Sequence, residues 1–295
     1  MISLVDADSL VYLAGFVAQK THYDVVVSDG KGGLELIQLP SVKAMKEEKR
    51  EIVDYKPEIT MSPLSYALQV VKEKMSTIVH RYGSKMEVYI RGDKQYNFRE
   101  KYATIAPYKG NRVADKPVYY EDIRAYLVKQ WKAIKVEEQE VDDEIGCRTS
   151  ELGTRDVVIV SPDKDLDQFP GKHWNYRNGT EYVVDPSDAM FWFWMQTLTG
   201  DPSDNIKGCW KMGSKGAELL LSVVPLERPE EVWRSVKKAY ETSQELEGCP
   251  YSNMTAEQAA TENARLVYMR RKRYEIWQPP GQDKAYDYPP KAYHD

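Results

Sequence analysis

The chain has 295 residues, of which 42% are hydrophobic and 29% are charged, and this composition predicts a soluble globular protein of one large domain or two small ones. No apolar run approaches the roughly 20 residues of a membrane span. The first residues lack a basic flank and carry Asp6 and Asp8, which argues against a signal peptide. The three cysteines and four histidines are scattered, so a zinc ribbon, a disulfide framework and a Ser-His-Asp triad have little support, and a reducing cytoplasm is expected.

Strand and helix patterns alternate in the first part of the chain. Alternating β-prone residues on both sides of a glycine-rich stretch are typical of a hairpin, and Ser followed by Pro is typical of a helix start. The predicted elements, in chain order, are a strand Ile2–Asp6, a helix Ser9–Val17, a hairpin over 23–39, a helix from Ser62 to about Tyr82, and a strand ending at Asp93.

The second part continues this alternation and then becomes helical. The predicted elements are a helix over 118–134, a helix Val141–Leu152, a strand Val157–Val160, a hairpin around Arg177–Gly179, and helices from Asp185 nearly to the end. Strands separated by helices predict an α/β fold with a mainly parallel central sheet, helices on both faces, and an α-helical C-terminal region. The expected boundaries are a core over 1–185, a helical region over 186–277 continuous with it, and a tail over 278–295 that contains four prolines and runs over the surface or is disordered.

Carboxylates recur at strand ends, at a helix start and in a turn. Ligands of parallel α/β sheets bind at the carboxyl ends of the strands, so these side chains are expected to converge. Taken singly, each could be a solvated turn or could complement a helix dipole. Together they would repel one another, and an all-oxygen pocket suits two Mg²⁺ or Mn²⁺ ions ~4 Å apart that clamp a phosphodiester. The candidate metal ligands are Asp6, Asp93, Glu140, Asp142, Asp143, Asp163, Asp165, Asp201 and Asp204.

The net charge is −5, so the composition alone gives no indication of a nucleic-acid partner. The distribution of charge is more informative, because residues 94–135 contain ten Lys or Arg against four Asp or Glu. Lys109 and Arg112 lie in this stretch, which also contains Tyr96, Phe98, Tyr102 and Tyr108. Cations interleaved with aromatic rings favour contact with phosphates and unpaired bases, the alternative being a solvated basic face.

Six short motifs then identify a family resemblance. They are, in order, VDADSL, YIRGD, APYKGNR, EVDD, SPDKDLDQF and GDPSDNIKGCWKMGSKGAELLL, and they extend from Val5 to roughly Leu221. Their sequences and order resemble the signature of the 5′ nucleases, which include flap endonucleases, the 5′-nuclease domain of bacterial DNA polymerase I, and bacteriophage 5′→3′ exonucleases. The short phage exonucleases are the most similar group. Three departures are the additional acid Asp8, Lys211, which stands where the family has a glycine, and Lys207, which stands where proline is common.

The resemblance implies a PIN-like core with a short arch region over 95–135 and a helix-hairpin-helix (helix-three-turn-helix) motif in the C-terminal region. It implies a metal-dependent 5′→3′ exonuclease and flap endonuclease that acts on duplex DNA with a 5′ end, nick or flap and on RNA–DNA hybrids, and that releases 5′-phosphates. The implied cofactors are two or more Mg²⁺ ions, which Mn²⁺ can replace, and a K⁺ ion at the hairpin. A monomer without membrane contact is expected in the cytoplasm, the host cytoplasm if a phage encodes the chain.

The same resemblance assigns roles to individual residues. The residues with a catalytic role are Lys109, Arg112, Asp6 and Asp163. The residues that contact DNA are Tyr108, Lys109, Arg112, Gly208, Gly213, Ser214 and Lys215, since glycines and the N–H groups at a helix start can approach a phosphate closely.

Other readings of the same residues are open. DADSL and GDPSD also resemble motifs of haloacid-dehalogenase-like phosphatases, in which Asp6 would be a covalent nucleophile. A non-catalytic DNA-binding protein would share the basic stretch, and a PIN-type ribonuclease would share the acids but is much shorter. GCWKMGSKG resembles a nucleotide-binding P-loop with Ser and Lys exchanged, but it follows a turn rather than a strand, and it could also be a plain helix linker.

Overall fold

A computed structural model describes residues 1–93, 97–112 and 116–281. Its strands are β1 (Ile2–Asp6), β2 (Gln19–Ser28), β3 (Leu34–Leu39), β4 (Ile52–Met61), β5 (Met86–Arg91), β6 (Ile134–Val136), β7 (Val157–Val160), β8 (Gly171–Asn175) and β9 (Thr180–Val184). Its helices are α1 (Asp8–Val17), α2 (Val42–Glu47), α3 (Leu64–Tyr82), α4 (Phe98–Tyr102), α5 (Tyr120–Trp131), α6 (Val141–Leu152), α7 (Pro186–Thr199), α8 (Ser214–Ser222), α9 (Pro229–Gln244) and α10 (Ala256–Val267). Tyr96 and the tail beyond residue 281 lie outside the described residues.

The larger sheet has six strands in the order β6-β5-β1-β7-β8-β9, and every pairing except that of β8 with β9 is parallel. Strands β1 and β7 are buried along their whole length, as expected of short apolar runs in the middle of a parallel sheet. The predicted α/β class with a mainly parallel sheet is therefore confirmed. The order places β1 between β5 and β7, so residues that follow these three strands lie at the same edge of the sheet.

The helix predicted over 118–134 is too long. Helix α5 ends at Trp131 because Lys132 adopts the left-handed conformation at φ 55° and closes the helix. The next residues form β6, which pairs in parallel with β5 through Tyr89 and Ile134. A strand of three residues has too few positions for its periodicity to be recognised, so β6 cannot be predicted from its own residues.

The smaller sheet has three antiparallel strands in the order β3-β2-β4. The hairpin of β2 and β3 agrees with the prediction, but β4 was not predicted. In its sequence, IVDYKPEITM, Val53, Tyr55, Ile59 and Met61 alternate with polar residues as in a strand, while Pro57 argues against one. The strand forms because β4 is an edge strand, where a residue without an N–H can be accommodated.

Chain contacts divide the protein into two compact units. One comprises Met1–Asp8, Tyr82–Ala114 and Ala133–Asp295, and holds the six-stranded sheet together with α6 to α10. The other comprises Ser9–Arg81 and Asp115–Lys132, and holds the three-stranded sheet. The boundary expected at residue 185 falls inside the first unit, whose C-terminal helices pack around a cluster of buried aromatic and aliphatic side chains that includes Trp194, Trp233 and Tyr240. Among the described residues, no helix has the length and apolarity to cross a membrane.

Candidate active site

Asp6 is the last residue of β1 and lies at the centre of the carboxyl edge of the sheet. Asp6 is only 2% exposed, and each oxygen of its carboxylate accepts a hydrogen bond. Ser161 Oγ donates to one oxygen over 2.8 Å, and the backbone N–H of Asp8 donates to the other over 3.1 Å. The Tyr176 hydroxyl also donates to the backbone carbonyl of Asp6. Asp6 is therefore held in one position before any ligand is considered.

Three carboxylates follow β7 within five residues, and the chain turns them in different directions. Asp163 caps a single-turn 3₁₀ helix over Lys164–Gln168, since its side chain accepts the backbone N–H of Asp165 over 2.9 Å. The N–H of Asp163 itself donates to Ser161 Oγ, which links this turn to Asp6. Asp165 accepts a hydrogen bond from Gln196 on α7. Asp167 accepts one from Tyr182 on β9 and lies beside His173, so it belongs to a different environment.

Two further groups of acids lie near these residues. Glu140 is the residue at the N-cap position of α6, although its side chain makes no capping hydrogen bond, and Asp142 lies in the first turn of the helix. Asp201 and Asp204 belong to the turn that follows α7, which is closed by the bridge between Asp201 and Ile206. Asp201 is fixed by Ser203, whose N–H and hydroxyl both donate to one of its side-chain oxygens over 2.7 Å.

The pKa values of three of these acids report their mutual proximity. Burial raises the pKa of Asp142 well above its usual value, and the charges of Asp163 and Asp6 raise it further. Burial, followed by the neighbouring acids, also raises the pKa of Asp163 and raises that of Asp165 to about 7. Repulsion and desolvation both disfavour the ionised form, so this group of carboxylates is short of positive charge.

Two cations of the segment 108–112, Lys109 and Arg112, contact this group of carboxylates. The Lys109 ammonium donates to Glu140 and lies 3.6 Å from a side-chain oxygen of Asp204, and Arg112 donates to the other oxygen of Asp204. The Tyr108 hydroxyl lies 2.9 Å from Glu140 and 2.7 Å from Asp204. Burial opposes ionisation of Glu140, but the charges of Lys109 and Arg99 outweigh it and lower its pKa to about 2.

The structure does not bring every predicted ligand to this group. Asp143 is fully buried and its carboxylate binds the buried guanidinium of Arg99 over 2.6 and 3.1 Å, as well as the N–H of Arg270. Asp93 is 63% exposed at its side chain and pairs with Lys135 over 2.6 Å. Asp143 thus forms a buried ion pair in this structure, because each of its oxygens accepts a hydrogen bond from Arg99, and its role as a metal ligand stays a prediction. Asp93 stays a prediction, since an exposed ion pair exchanges easily.

The predicted DNA-contacting residues of the hairpin fall into two kinds. Gly208 is buried at φ 66°, and its N–H donates to Asn263, so it serves the packing of the turn and has no N–H left for a phosphate. Gly213 is exposed, its φ of −91° suits any residue, and a side chain there would meet nothing in the protein within 4 Å. Ser214 and Lys215 are exposed at the start of α8. Lys211 has φ 60°, a conformation that favours the glycine usual at its place.

Sequence reasoning missed the residues that organise the site from behind. Arg99 has no exposed side-chain surface, and besides Asp143 it donates to Glu140 and to the carbonyls of Leu266 and Tyr268. In the sequence it was one cation of a basic stretch, and only tertiary contacts distinguish a buried arginine from a solvated one. Ser161 could have been recognised, because it stands between the strand and the three acids.

No group of three His, Cys, Asp or Glu side chains within the described parts of the chain is arranged to hold a metal ion as it stands. The chemistry of the donors nevertheless fits a hard divalent cation. All the donors are oxygens, and the carboxylate of Asp142 has no hydrogen bond or ion pair with any other described residue. A half-buried acid among like charges and without a hydrogen-bond or ion-pair partner is costly unless a cation is nearby. Binding would require the carboxylates to rearrange, with Glu140 and Asp204 exchanging protein cations for the metal.

Two known proteins are similar to this chain over part of their sequences. The chain is 24% identical over 203 residues to a protein of Buchnera aphidicola subsp. Schizaphis graminum (strain Sg) named 5′-3′ exonuclease, covering 62% of this chain and 66% of that protein. It is 30% identical over 142 residues to the exodeoxyribonuclease of Enterobacteria phage T3, covering 46% and 47%. The chain thus spans just under two thirds and about half of the lengths of these relatives. No protein-family model matches it.

Among solved structures, the D15 protein of T5, crystallised with metal ions, shares 16% identity with this chain at a TM-score of 0.52, and the match covers 90% of this chain and 88% of the T5 protein. At this level of identity the likeness concerns the fold. The resemblance to 5′ nucleases is thus confirmed, because the chain is similar in sequence to a bacterial 5′-3′ exonuclease and a phage exodeoxyribonuclease and has the fold of the T5 D15 protein.

Proposed function

We propose that the protein is a divalent-metal-dependent 5′→3′ exonuclease with flap-endonuclease activity, which hydrolyses phosphodiesters in duplex DNA and RNA–DNA hybrids and releases 5′-phosphates. One observation carries the proposal. Buried carboxylates at the carboxyl edge of a parallel sheet lie in contact with two cations, Lys109 and Arg112, from one short segment. Such a site combines ligands for metal ions with positive groups for a phosphate, and the names of the two relatives are consistent with it.

Metal ions would be held by the acids that lie together at the sheet edge. We assign Glu140, Asp142 and Asp163 mainly to a first Mg²⁺, with Asp6 close by, and Asp165, Asp201 and Asp204 mainly to a second. Asp93 would join the first set when its exposed ion pair with Lys135 opens. A bound divalent ion supplies Lewis-acid polarisation of the phosphodiester and lowers the pKa of water. Mn²⁺ also prefers oxygen ligands and is expected to substitute.

The chain's own cations have a separate task. In the absence of substrate, Lys109 pairs with Glu140 and Arg112 pairs with Asp204. When metal ions bind those carboxylates instead, the two cations would be available to bind a phosphate. Positive groups held near the reacting phosphate stabilise the charge that develops in the transition state. Tyr108 is placed to keep this segment against Glu140 and Asp204 through its hydroxyl. The segment is thus proposed to bind the scissile phosphate rather than to read base sequence.

Duplex DNA is proposed to lie against the hairpin and the start of α8. The exposed backbone at Gly213 and Ser214 presents N–H groups, and Lys215 adds a cation. Gly213 is the N-cap residue of α8, but the fold has no steric need for glycine there, since its backbone conformation suits any residue and a side chain would have open space. A residue that the fold does not require is consistent with a close approach of a ligand. A K⁺ ion at this hairpin and action as a monomer complete the proposal.

The phosphatase alternative fits this geometry less well. It requires the carboxylate of Asp6 to attack a phosphate, but Asp6 is buried and both of its oxygens are bound, one by Ser161 and one by the N–H of Asp8. It also leaves the basic segment 108–112 without a function. Beryllium fluoride mimics an aspartyl phosphate, so inhibition by it would favour the phosphatase.

The decisive assay uses a 5′-labelled nicked duplex and a 5′-flap duplex, each with Mg²⁺, with Mn²⁺ and with EDTA. Release of short 5′-phosphorylated products that requires the metal is expected on both substrates. A matched RNA–DNA hybrid tests the range of substrates. Binding without cleavage at any metal concentration would instead identify a non-catalytic DNA-binding protein and would overturn the proposal.

A further inference from the structure

Helix α10 carries two adjacent buried polar side chains, Glu262 and Asn263, each only 1% exposed. Neither belongs to the carboxylate group at the sheet edge, and neither is among the predicted site residues. A buried carboxylate is costly unless its oxygens are hydrogen-bonded, so its partners indicate why it is there. The two side chains contact different segments of the proposed site.

Glu262 binds the start of residues 104–112, which include Lys109 and Arg112 and are called the phosphate-binding segment below. One of its oxygens accepts the backbone N–H groups of Thr104 and Ile105, both over 2.7 Å, and the other accepts the Thr104 hydroxyl. Both N–H groups belong to irregular backbone, where no helix or strand provides an acceptor. The carboxylate therefore supplies the acceptors that this backbone lacks, and it fixes the point from which the segment begins.

The other end of the same segment is fixed independently. The N–H of Lys109 donates to the carbonyl of Asp204 over 2.9 Å, and Asn111 donates to the carbonyl of Pro202 over 2.7 Å. The segment is thus held between α10 and the turn that contains two of the candidate ligands. Lys109 has φ 56°, a strained conformation for lysine that persists only where the surroundings determine it.

Asn263 binds the hairpin in a similar way. Its side-chain oxygen accepts the N–H of Gly208 over 2.8 Å, and its amide nitrogen donates to the carbonyl of Ala259 within α10. Gly208 packs so closely against the end of α7 that a Cβ atom would lie 2.3 Å from the N atom of Gly200. The hairpin is consequently fixed to α10 at its first residue, five residues before Gly213.

We infer that Glu262 and Asn263 are positioning residues, and that each of them holds one of the two proposed DNA-contacting segments against α10. Glu262 positions the segment whose cations act at the scissile phosphate, and Asn263 positions the hairpin that binds the duplex. Because the two residues are neighbours on one buried helix, the distance between phosphate-binding segment and hairpin is set by that helix. This inference rests on the proposed function, which supplies the roles of the two segments.

The test is a comparison of single-turnover cleavage and duplex affinity on a 5′-flap substrate with Mg²⁺. Glu262→Ala should lower the cleavage rate about 10- to 100-fold, as expected for groups displaced by about 1 Å, and should leave the dissociation constant within about twofold. Glu262→Gln should restore most of the rate, because the amide oxygen can accept both N–H groups. Asn263→Ala should show the opposite pattern, with duplex affinity about tenfold weaker and the cleavage rate of the bound complex little changed.

Thr261 provides the matched control. It precedes Glu262 on the same buried helix, and its hydroxyl has no hydrogen-bond partner among the described residues. Thr261→Ala therefore removes packing from α10 without releasing either segment, and it should change neither the rate nor the affinity. If Glu262→Ala does not fold, Glu262→Asp keeps the charge and draws the carboxylate back by one methylene, and it should still lower the rate.

Amide hydrogen exchange separates this inference from the proposed function. Glu262→Ala should accelerate exchange in residues 104–112 alone, and Asn263→Ala should accelerate it around residues 208–213 alone, whether or not the protein cleaves DNA. Wild-type protein without nuclease activity would overturn the proposed function and leave these patterns intact. Uniform acceleration along α10 in all three alanine variants, or a normal cleavage rate in folded Glu262→Ala and Glu262→Asp, would overturn the positioning roles.

Discussion

Asp143 and Asp163 belong to the same compact unit, but the charged groups around them differ. Asp143 lies among the donors of Arg99 and Arg270, so its charge is compensated by the protein itself. Asp163 has other acids as neighbours, and its pKa is raised by burial and by the charge of Asp6. The counter-charge of Asp143 is a fully buried arginine, whereas for Asp163 we propose that a metal ion supplies it. The contrast yields one prediction for each residue.

Asp163→Asn should abolish cleavage while leaving the affinity for a 5′-flap duplex largely unchanged. The substitution removes a charged ligand and keeps a side chain that can still accept the N–H of Asp165. Single-turnover cleavage and a binding titration in Ca²⁺ measure the two effects separately. Turnover close to that of the wild type at saturating Mg²⁺ would show that Asp163 is not a ligand.

Asp143→Ala should lower the free energy of unfolding by about 3 kcal/mol, because it leaves Arg99 buried with an incomplete set of acceptors. Glu140 still accepts one bond from Arg99, which keeps the loss near the lower end of the range for broken buried pairs. Urea denaturation monitored by circular dichroism gives the value. A variant as stable as the wild type, but inactive, would instead support Asp143 as a metal ligand.

The hairpin and the first turn of α8 form one element whose function can be tested apart from its stability. Lys215→Ala should weaken duplex binding equally for all sequences and reduce the slope of log affinity against log salt by about one unit, as for one lost phosphate contact. Gly213→Val should also weaken binding, while the free energy of unfolding falls by no more than about 1 kcal/mol, because a side chain at this position meets open space and only the N-cap preference of glycine is lost.

Lys43→Ala is a suitable control for this element, since Lys43 is an exposed lysine in the other compact unit. It should leave the salt slope as in the wild type. Lys211 could supply a compensating charge, so the double variant Lys211→Ala, Lys215→Ala is included. An unchanged affinity and salt slope in that double variant would reduce the hairpin to a helix linker.

The elements also show what a single sequence can reveal. Strands β1 and β7 and helix α6 were predicted to within a residue or two, since buried apolar runs and an acidic helix start are local signals. Strand β6 was missed because three residues carry no period, and β4 because Pro57 contradicted its alternation. The acids of the site were found from their places after strands. Arg99 and Glu262 were not, because their roles depend on partners more than 40 and 150 residues away in the chain.

At the scale of the whole molecule, the candidate active site is a local excess of negative charge maintained at the expense of stability. The chain places several acids at one sheet edge although each raises the pKa of its neighbours. Lys109, Arg112 and Arg99 compensate Glu140 and Asp204 but leave Asp142 without a partner in the described part of the chain. A fold selected only for stability would replace such acids, so their presence is consistent with a bound cation as part of the working protein.

Asp165→Asn should therefore stabilise the metal-free protein, and only above acidic pH. Burial and the charges of Asp163 and Asp201 raise the pKa of Asp165 from 3.8 to about 7. The folded protein thus holds this proton more tightly than the unfolded chain, and the contribution of Asp165 to stability falls as the pH rises from 3.8 to about 7 and is constant beyond. Asparagine carries no charge to bury, and it can still accept the hydrogen bond from Gln196.

In EDTA, urea denaturation should give equal free energies of unfolding for wild type and Asp165→Asn near the acid end of this range, and a variant more stable by on the order of 1 kcal/mol above about pH 7. Mg²⁺ should then raise the free energy of unfolding of the wild type more than that of the variant. An ion that binds only the folded state stabilises it according to its affinity, and the variant lacks one charged ligand. If the difference in free energy of unfolding between the two proteins does not change with pH, the fold does not raise the pKa of Asp165. Equal stabilisation by Mg²⁺ would mean that the ion binds away from Asp165, and the carboxylates at the sheet edge would then need another explanation.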